Sequence, residues 1–240
     1  MADEWGYEDA PDDEKLRIAQ HFLLSSPPGQ EHEVLRDVAK LVPARVLTDA
    51  ALRGALHAYN VKYALAVDVP DAEYQILICE DAEVDASHYI DPIGKRVFGF
   101  DHVKQTALQS YLQFEFMHQG TAGVYVKGST LHVNVCAKRI NLRNFWSGRW
   151  QSRWEADLTT NPLRVKGSIA LHVHYFENGN LQLQSEKVVE DAVSFSSAAG
   201  LGDALLRVIK DADDNLQTNL EDMYINMSQE TFKEMRRVMP

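Results

Sequence analysis

The ten residues from Phe145 to Trp154, FWSGRWQSRW, constrain the fold more than any other stretch of the chain. Read as a strand, they place three tryptophans on one face and two arginines on the other. A helix would also align the tryptophans, which are four residues apart, but the glycine, the serines and the strand-like neighbours favour a strand. We therefore predict a tryptophan face in a core. The arginine face is predicted to be solvated or ion-paired, with a binding surface as the alternative.

Strand-like segments continue on both sides of this stretch. From Gly123 the chain alternates as strands do, and Asn178-Gly179 is a strong signal for a type I′ hairpin. One parity of the fourth segment, from Leu163 to Tyr175, is apolar, and Leu181 and Leu183 alternate in the segment that follows. These patterns predict an antiparallel meander with one buried face. Its five strands are predicted at 124–126, 131–140, 145–158, 163–176 and 180–188.

Helical periodicity precedes and follows the predicted meander. Apolar residues recur every three or four positions in three segments before residue 60, and Thr48 is a plausible N-cap for the third. Two short hairpins, one turning at Pro70-Asp71, and a helix over 104–118 are predicted next. Residues 197–226 predict one long helix of ~45 Å at 1.5 Å per residue. Ser228 is predicted to cap a separate, short basic helix that ends at Pro240.

The fold class predicted from these elements is α+β. A helical stalk of three helices leads into a small β region, and a long C-terminal helix covers the five-stranded antiparallel sheet. The predicted segments are an acidic, mobile N-terminus (1–13), the helical stalk (14–62), small strands plus a helix (63–121), the central sheet (122–190) and the long helix with the short basic helix (191–240).

Charge and cysteine content narrow the function classes. The chain has 240 residues and a net charge of −11, which disfavours duplex nucleic acid or an anionic membrane as a partner for the whole surface. No apolar run approaches the ~18 residues of a membrane span, and the acidic start does not resemble a signal peptide. We predict a cytoplasmic protein in which Cys79 and Cys136 are reduced core residues.

The sequence offers little for catalysis. His172 and His174 share one strand face, as a metal chelate would require, but no third or fourth ligand stands at a fixed spacing. We predict two exposed strand histidines there, with a metal-dependent enzyme as the disfavoured alternative. No nucleophile elbow, P-loop or dinucleotide glycine pattern appears. The prediction is a protein that is not an enzyme and binds no cofactor and no metal.

Four blocks of the chain, in order, resemble the α subunit of F-actin capping protein. Their predicted elements agree with that family, and four blocks in order are more specific than any one of them. The chain is therefore identified as a member of this family from residue 14 onwards. The blocks are Leu16–Val42 (LRIAQHFLLSSPPGQEHEVLRDVAKLV), Phe145–Trp154, Val173–Leu183 (VHYFENGNLQL) and Met227–Pro240 (MSQETFKEMRRVMP).

The resemblance implies a heterodimer with a β subunit of the same fold, the two sheets joining edge to edge. Such a dimer caps the barbed end of the actin filament in the cytoskeleton, blocks subunit exchange and performs no catalysis. Lys233, Arg236 and Arg237 correspond to the basic residues that meet actin. Lys233 and Arg237 are also the candidates for phosphoinositide binding, which would compete with actin, and protein regulators are further candidate partners.

Two departures from the family pattern affect these expectations. The connection before the predicted helix at 104–118 is shorter than usual. Family members also continue beyond the position of Pro240 into a mobile amphipathic tail, so weaker capping is expected here. The alternative function is a structural subunit of a larger dynactin-like or axonemal assembly in which capping is secondary.

Overall fold

The computed structural model describes residues 10–68, 72–102, 119–160, 162–177, 181–195 and 198–238. These ranges hold four helices, ten strands and a short 3-10 helix at Leu142–Asn144. The helices are α1 (Asp12–Leu24), α2 (Glu31–Leu41), α3 (Asp49–Lys62) and α4 (Ala198–Val238). The strands are β1 (Leu65–Asp68), β2 (Gln75–Ile78), β3 (Glu83–Asp85), β4 (His88–Asp91), β5 (Arg96–Gly99), β6 (Gln119–Lys127), β7 (Thr130–Asn141), β8 (Trp146–Asp157), β9 (Leu163–Tyr175) and β10 (Leu181–Val193).

The predicted meander is confirmed. The order of the five-stranded antiparallel sheet is β10-β9-β8-β7-β6, so each strand lies beside its neighbour in sequence. The hydrophobic alternation specifies which face of each strand is buried. The short connections place each strand beside the next one in sequence. The predicted turn at Asn178-Gly179 lies outside the described residues.

Two smaller sheets precede the large one. Strands β1 and β2 pair antiparallel, with Leu65 opposite Ile78, and β3-β4-β5 form a three-stranded sheet with Ile90 opposite Val97. Both hairpins were predicted, whereas β3 was not, because three residues are too few to show a period. The predictions of a turn at Pro70-Asp71 and of a helix at 104–118 fall on residues that are not described.

The three predicted N-terminal helices are confirmed, and α3 begins at the predicted cap. The Thr48 hydroxyl accepts a hydrogen bond from the Ala51 amide at 3.3 Å, as an N-cap should. Leu23 of α1 is buried together with Ala55 and Leu56 of α3. None of the helices in the described ranges is both long and apolar enough to cross a membrane.

The chain divides into two compact units. Unit 1 comprises Met1–Tyr125, His132–Arg153 and Ala170–Ser185, and one of its apolar cores contains the buried residues of β2 together with Tyr89 of β4. Unit 2 comprises Val126–Leu131, Trp154–Ile169 and Glu186–Pro240. It buries one face of β8 and β9 and one stripe of α4, namely Trp154, Ala156, Leu163, Val165 and Ile169 with Ala204, Leu205, Val208, Ala212 and Leu216. The predicted segment boundaries stay a prediction.

The prediction of a separate C-terminal helix is wrong. Helix α4 continues through Ser228 and runs for 41 residues from Ala198 to Val238. The helix does not begin again at Ser228, because no glycine or proline lies between Gly202 and Pro240 to interrupt it. The residues around Ser228 are also mostly good helix formers. A serine inside a helix is tolerated when its neighbours favour the helix. The basic residues therefore stand at the end of one continuous helix.

Candidate functional site

The predicted actin-binding residues lie in the last turns of α4. Lys233, Arg236 and Arg237 are three and four positions apart, which places them on one side of the helix. Cations at a helix carboxyl end are favoured by the helix dipole. The side chains of these residues fall outside what the structure describes, so their binding roles remain predictions.

The arginine face of β8 is buried at Arg149 and partly exposed at Arg153. Arg149 is only 5% exposed and Ser147 only 1% exposed, although both lie on the face that the sequence assigned to water or a partner. The opposite face is buried most completely at Trp154, whereas Trp146 and Trp150 are half-buried. Each face is therefore covered over part of the strand. The prediction of a solvated or ion-paired arginine face is wrong at Arg149, whereas Arg153 forms an ion pair with Glu80 at 3.6 Å.

Arg149 packs against two tyrosines of the α3 region. Its guanidinium carbon lies 3.4 Å from the centre of the Tyr63 ring, which is a stacked cation–π contact. Its Nη1 donates a hydrogen bond to the Tyr59 hydroxyl at 3.2 Å. Tyr59 and Tyr63 are four residues apart, so they share one face of the helix end. That aromatic pair is the sequence signal that could have revealed where the arginine goes.

Glu31 supplies the negative charge of this buried cluster. Its Oε1 accepts hydrogen bonds from the Tyr59 hydroxyl at 2.6 Å and from the Gly29 amide at 3.1 Å. The Lys138 ammonium of β7 lies 3.5 Å from the same oxygen. Burial acts to raise the pKa of the Glu31 carboxyl, but Lys138 and the Tyr59 hydrogen bond outweigh it, and the pKa stays below its usual value. Glu31 is therefore ionised inside the fold.

The carboxyl end of α3 is capped by β8. Arg153 Nη2 donates to the carbonyls of Val61 and Lys62 at 2.9 Å and 3.2 Å, and Gln151 Nε2 donates to Lys62 at 3.1 Å. The last carbonyls of an α-helix lack the usual partner four residues on, although the Val61 carbonyl also accepts from the Ala64 amide at 3.3 Å. A cation beside them also meets the negative end of the helix dipole. We call Lys138, Arg149, Gln151 and Arg153 the α3 seat. It positions the helix and assembles no catalytic group.

The prediction of exposed histidines on β9 is also wrong. His172 is 9% exposed and His174 is 6% exposed. His172 Nε2 lies 3.1 Å from Gln182 Oε1, and His174 Nδ1 lies 2.7 Å from the amide nitrogen of Gln30. No group of three or more potential metal ligands occurs among the described residues. The two histidines are hydrogen-bonded core residues.

The two cysteines are free and buried, as predicted. Burial raises the pKa of the Cys136 thiol to about 11 and also raises that of Cys79. A thiol that stays protonated is a poor nucleophile and a poor metal ligand. The two cysteines are therefore packing residues.

Comparison with known proteins indicates the family of the chain. The sequence model of the family described as F-actin capping protein alpha subunit matches residues 19–109 and 105–240. The F-actin-capping protein subunit alpha of Caenorhabditis elegans is 28% identical over 259 residues, covering 95% of this chain and 91% of its own length. That of Dictyostelium discoideum is 29% identical over 262 residues, covering 96% of this chain and 92% of its own length.

A solved structure shows the same fold. The homodimeric actin capping protein alpha subunit from Plasmodium berghei superposes with a TM-score of 0.76. The match covers 95% of this chain and 98% of that one, at 20% sequence identity. The family match spans nearly all of the chain, and the fold agrees over the same length. The chain belongs to the F-actin capping protein alpha subunit family.

Proposed function

We propose that this chain is the α subunit of a dimer that caps the barbed end of the actin filament and blocks subunit addition and loss. The observation that carries the proposal is the family match over nearly the whole chain. A capping subunit needs a rigid body and a binding surface, and it needs no catalytic group. The alternative role in a dynactin-like or axonemal assembly is not favoured, because the relatives are named as capping protein subunits.

Lys233, Arg236 and Arg237 are the proposed actin contacts. In a chain of net charge −11, three cations on one side of a helix end are a local reversal of sign. Complementary charge orients and speeds the encounter of two proteins. A phosphoinositide headgroup would compete for Lys233 and Arg237 through the same charge. The cytoskeletal location follows from the proposed binding.

Changing Lys233, Arg236 and Arg237 together to alanine is expected to weaken barbed-end binding about 100-fold, if each lost contact costs about 1 kcal/mol or slightly more. The measurement is inhibition of pyrene-actin elongation by the dimer. The matched control removes three exposed cations of α1 and α2, Arg17, Arg36 and Lys40, which are 75%, 62% and 67% exposed. Undiminished capping by the first variant would contradict the proposed site.

The dimer partner is proposed to join at β10. This strand ends the sheet order and is exposed over most of its 13 residues. A long open edge strand attracts another strand unless it is covered. The family resemblance points to a β subunit as the partner. The alpha subunit from Plasmodium berghei is homodimeric, which favours a second copy of this chain as a second candidate.

A second copy fits the β10 edge in one register. Opposite residues of an antiparallel pair point to the same face, so the two-fold axis must pass midway between one residue and the same residue of the second copy. When the axis lies at Val189, Lys187 of each copy is opposite Asp191 of the other copy. Centred on Lys187, the pairing sets that lysine against itself, and centred on Val188 it sets Glu186 against Glu190. Only the first of these registers pairs opposite charges.

A Val189→Cys variant tests the second copy. If two β10 strands pair around this position, mild oxidation is expected to give a disulfide-linked dimer of this chain on a non-reducing gel. Lys187→Cys is the control, because in that register residue 187 is opposite Asp191 of the second copy. The second copy's own residue 187 lies four positions farther along the strand. Absence of the crosslink, together with a copurifying β subunit, would leave the heterodimer as the assembly.

A further inference from the structure

We propose that one end of the large sheet, around the connection between β7 and β8, is a docking surface for an acidic peptide segment of another protein that carries an aromatic side chain. The surface consists of Arg139, Arg143, Phe145, Trp146 and Phe176, and we call it the arginine–aromatic patch. All five residues lie in unit 1. The proposal goes beyond actin capping and does not depend on it.

The two arginines of the patch, Arg139 and Arg143, are exposed, and neither guanidinium forms an ion pair within the described ranges. Arg139 is held over an aromatic ring, since its guanidinium carbon lies 5.4 Å from the centre of the Trp146 ring. The patch is therefore a place where this acidic chain presents unpaired positive charge. The other exposed or half-buried arginines of unit 1 do form ion pairs with carboxylates, namely Arg17, Arg36, Arg45, Arg53, Arg96 and Arg153.

Phe145 lies at the surface in an unfavourable backbone conformation. Its φ is 55°, in the left-handed region that bulky residues rarely adopt. The residue is nevertheless 41% exposed, so burial of the ring does not fully compensate the backbone. Residues in such conformations persist where the surrounding structure fixes them, and they cluster at binding sites. The conformation therefore marks Phe145 as a ligand contact.

The end of β9 fixes Phe145 in place. The Phe176 amide donates a hydrogen bond to the Phe145 carbonyl at 2.8 Å, and the two rings meet edge to face with their centres 6.1 Å apart. The Phe176 ring lies beside His174, whose ring centre is 5.2 Å away and which is only 6% exposed. The patch thus rests on a buried residue of the sheet. A ligand that binds there does not first have to order the surface.

The side chains of the patch favour a ligand with two properties. A guanidinium recognises carboxylates through paired N–H donors, and an exposed aromatic ring packs well against another ring. Arg139 and Arg143 are four positions apart in the sequence. Their backbones are therefore at most ~13 Å apart, and carboxylates two to four positions apart in an extended peptide span ~7–13 Å. An aromatic residue between two such carboxylates can meet Phe145.

The charges of the chain favour a peptide over an anionic membrane. Glu177 follows Phe176, and its carboxylate accepts a hydrogen bond from the Tyr175 hydroxyl, so an acid stands next to the patch. The net charge of −11 also opposes the approach of the whole chain to a negatively charged bilayer. A short acidic segment needs only the local positive charge of the two arginines.

Fluorescence anisotropy of a labelled synthetic peptide, titrated with the full chain in its dimer, tests the proposal. The probe is a peptide of about ten residues in which glutamates flank two phenylalanines, and we expect a Kd on the order of 100 μM that weakens as salt is added. Alanine in place of both phenylalanines, or glutamine in place of the glutamates, is expected to weaken binding about tenfold. Equally weak binding of all three peptides would overturn the proposal. Binding to phosphatidylserine vesicles that needs the same arginines, without binding of the probe, would assign the patch to a membrane instead.

The arginines are tested by removal and by charge reversal. Arg139→Ala with Arg143→Ala is expected to weaken binding of the probe about tenfold or more. The matched pair Arg17→Ala with Arg36→Ala removes two exposed cations of α1 and α2 and is expected to leave binding unchanged. Arg143→Glu is expected to bind a probe with lysine in place of glutamate more tightly than the unaltered chain does. An equal loss for the two pairs of alanine variants would refute the assignment.

Phe145→Gly separates a ligand contact from a structural role. Glycine adopts a φ of 55° without strain, so the midpoint of urea unfolding is expected to stay the same or to rise. Binding of the probe is nevertheless expected to weaken about fivefold, because the exposed ring is gone. A lower midpoint together with unchanged binding would show that the ring supports the fold and does not contact the ligand.

Discussion

Replacing Arg149 with alanine is expected to lower the free energy of unfolding by about 3 kcal/mol. The change removes a stacked contact 3.4 Å from the Tyr63 ring and the hydrogen bond to the Tyr59 hydroxyl. Both are desolvated, since Arg149 is 5% exposed. It also leaves a space beneath α3 that the surrounding side chains fill only partly.

The loss should be specific to the buried geometry and not to the charge alone. Arg149→Lys keeps the charge but loses the planar fork that stacks and donates at once, so a loss of about 2 kcal/mol is expected. Arg53→Ala is the matched control, because Arg53 is 48% exposed and its salt bridge to Asp101 is expected to contribute less than about 1 kcal/mol.

Urea unfolding followed by tryptophan fluorescence measures these differences, since three of the four tryptophans lie in β8. Tyr63→Leu in the Arg149→Ala background closes a double-mutant cycle. The two losses should not add, because they share one stacked contact. A loss for Arg149→Ala no larger than that for Arg53→Ala would show that the α3 seat does not stabilise unit 1.

The sequence predicts the order of elements well because that order is local. The alternation in each strand, the Thr48 cap and the short connections specify a meander and three helices without any distant information. The same local rules produce the error at Ser228, where a cap signal competes with a run of helix formers. The sequence of a single segment does not show whether a new helix will begin at the cap signal or the existing helix will continue through it.

The candidate site was harder to predict because its partners are distant in sequence. Alternation in β8 shows that its two faces differ, but it does not show that α3 covers the arginine face 90 positions away. Ala64 follows α3 and has a φ of 47°, a backbone conformation that favours glycine. Because the residue is alanine, the sequence gives no signal of this conformation. The histidines of β9 have the same explanation, because their hydrogen-bond partners Gln30 and Gln182 lie on other segments of the chain.

Replacing Gly167 with alanine is expected to lower the free energy of unfolding by about 3 kcal/mol. Gly167 of β9 lies against the ring of Trp154 in unit 2, and an added Cβ would stand 2.1 Å from Cε3 of that ring. Trp154 is 1% exposed, so the indole cannot move aside without disturbing the core around it. The close approach, and not the backbone conformation, makes glycine necessary here.

Two further variants separate this clash from a general effect of alanine. Gly202→Ala in α4 meets no atom within 4 Å and is expected to stabilise the helix by about 0.5 to 1 kcal/mol. Trp154→Leu removes the ring and is destabilising by itself, because it leaves a cavity. In that background the added cost of Gly167→Ala is expected to fall by about 2 kcal/mol, since the methyl group then occupies space that the ring has vacated. If urea unfolding instead gave the same cost for Gly167→Ala with and without Trp154, the contact between glycine and indole would not be the reason for the glycine.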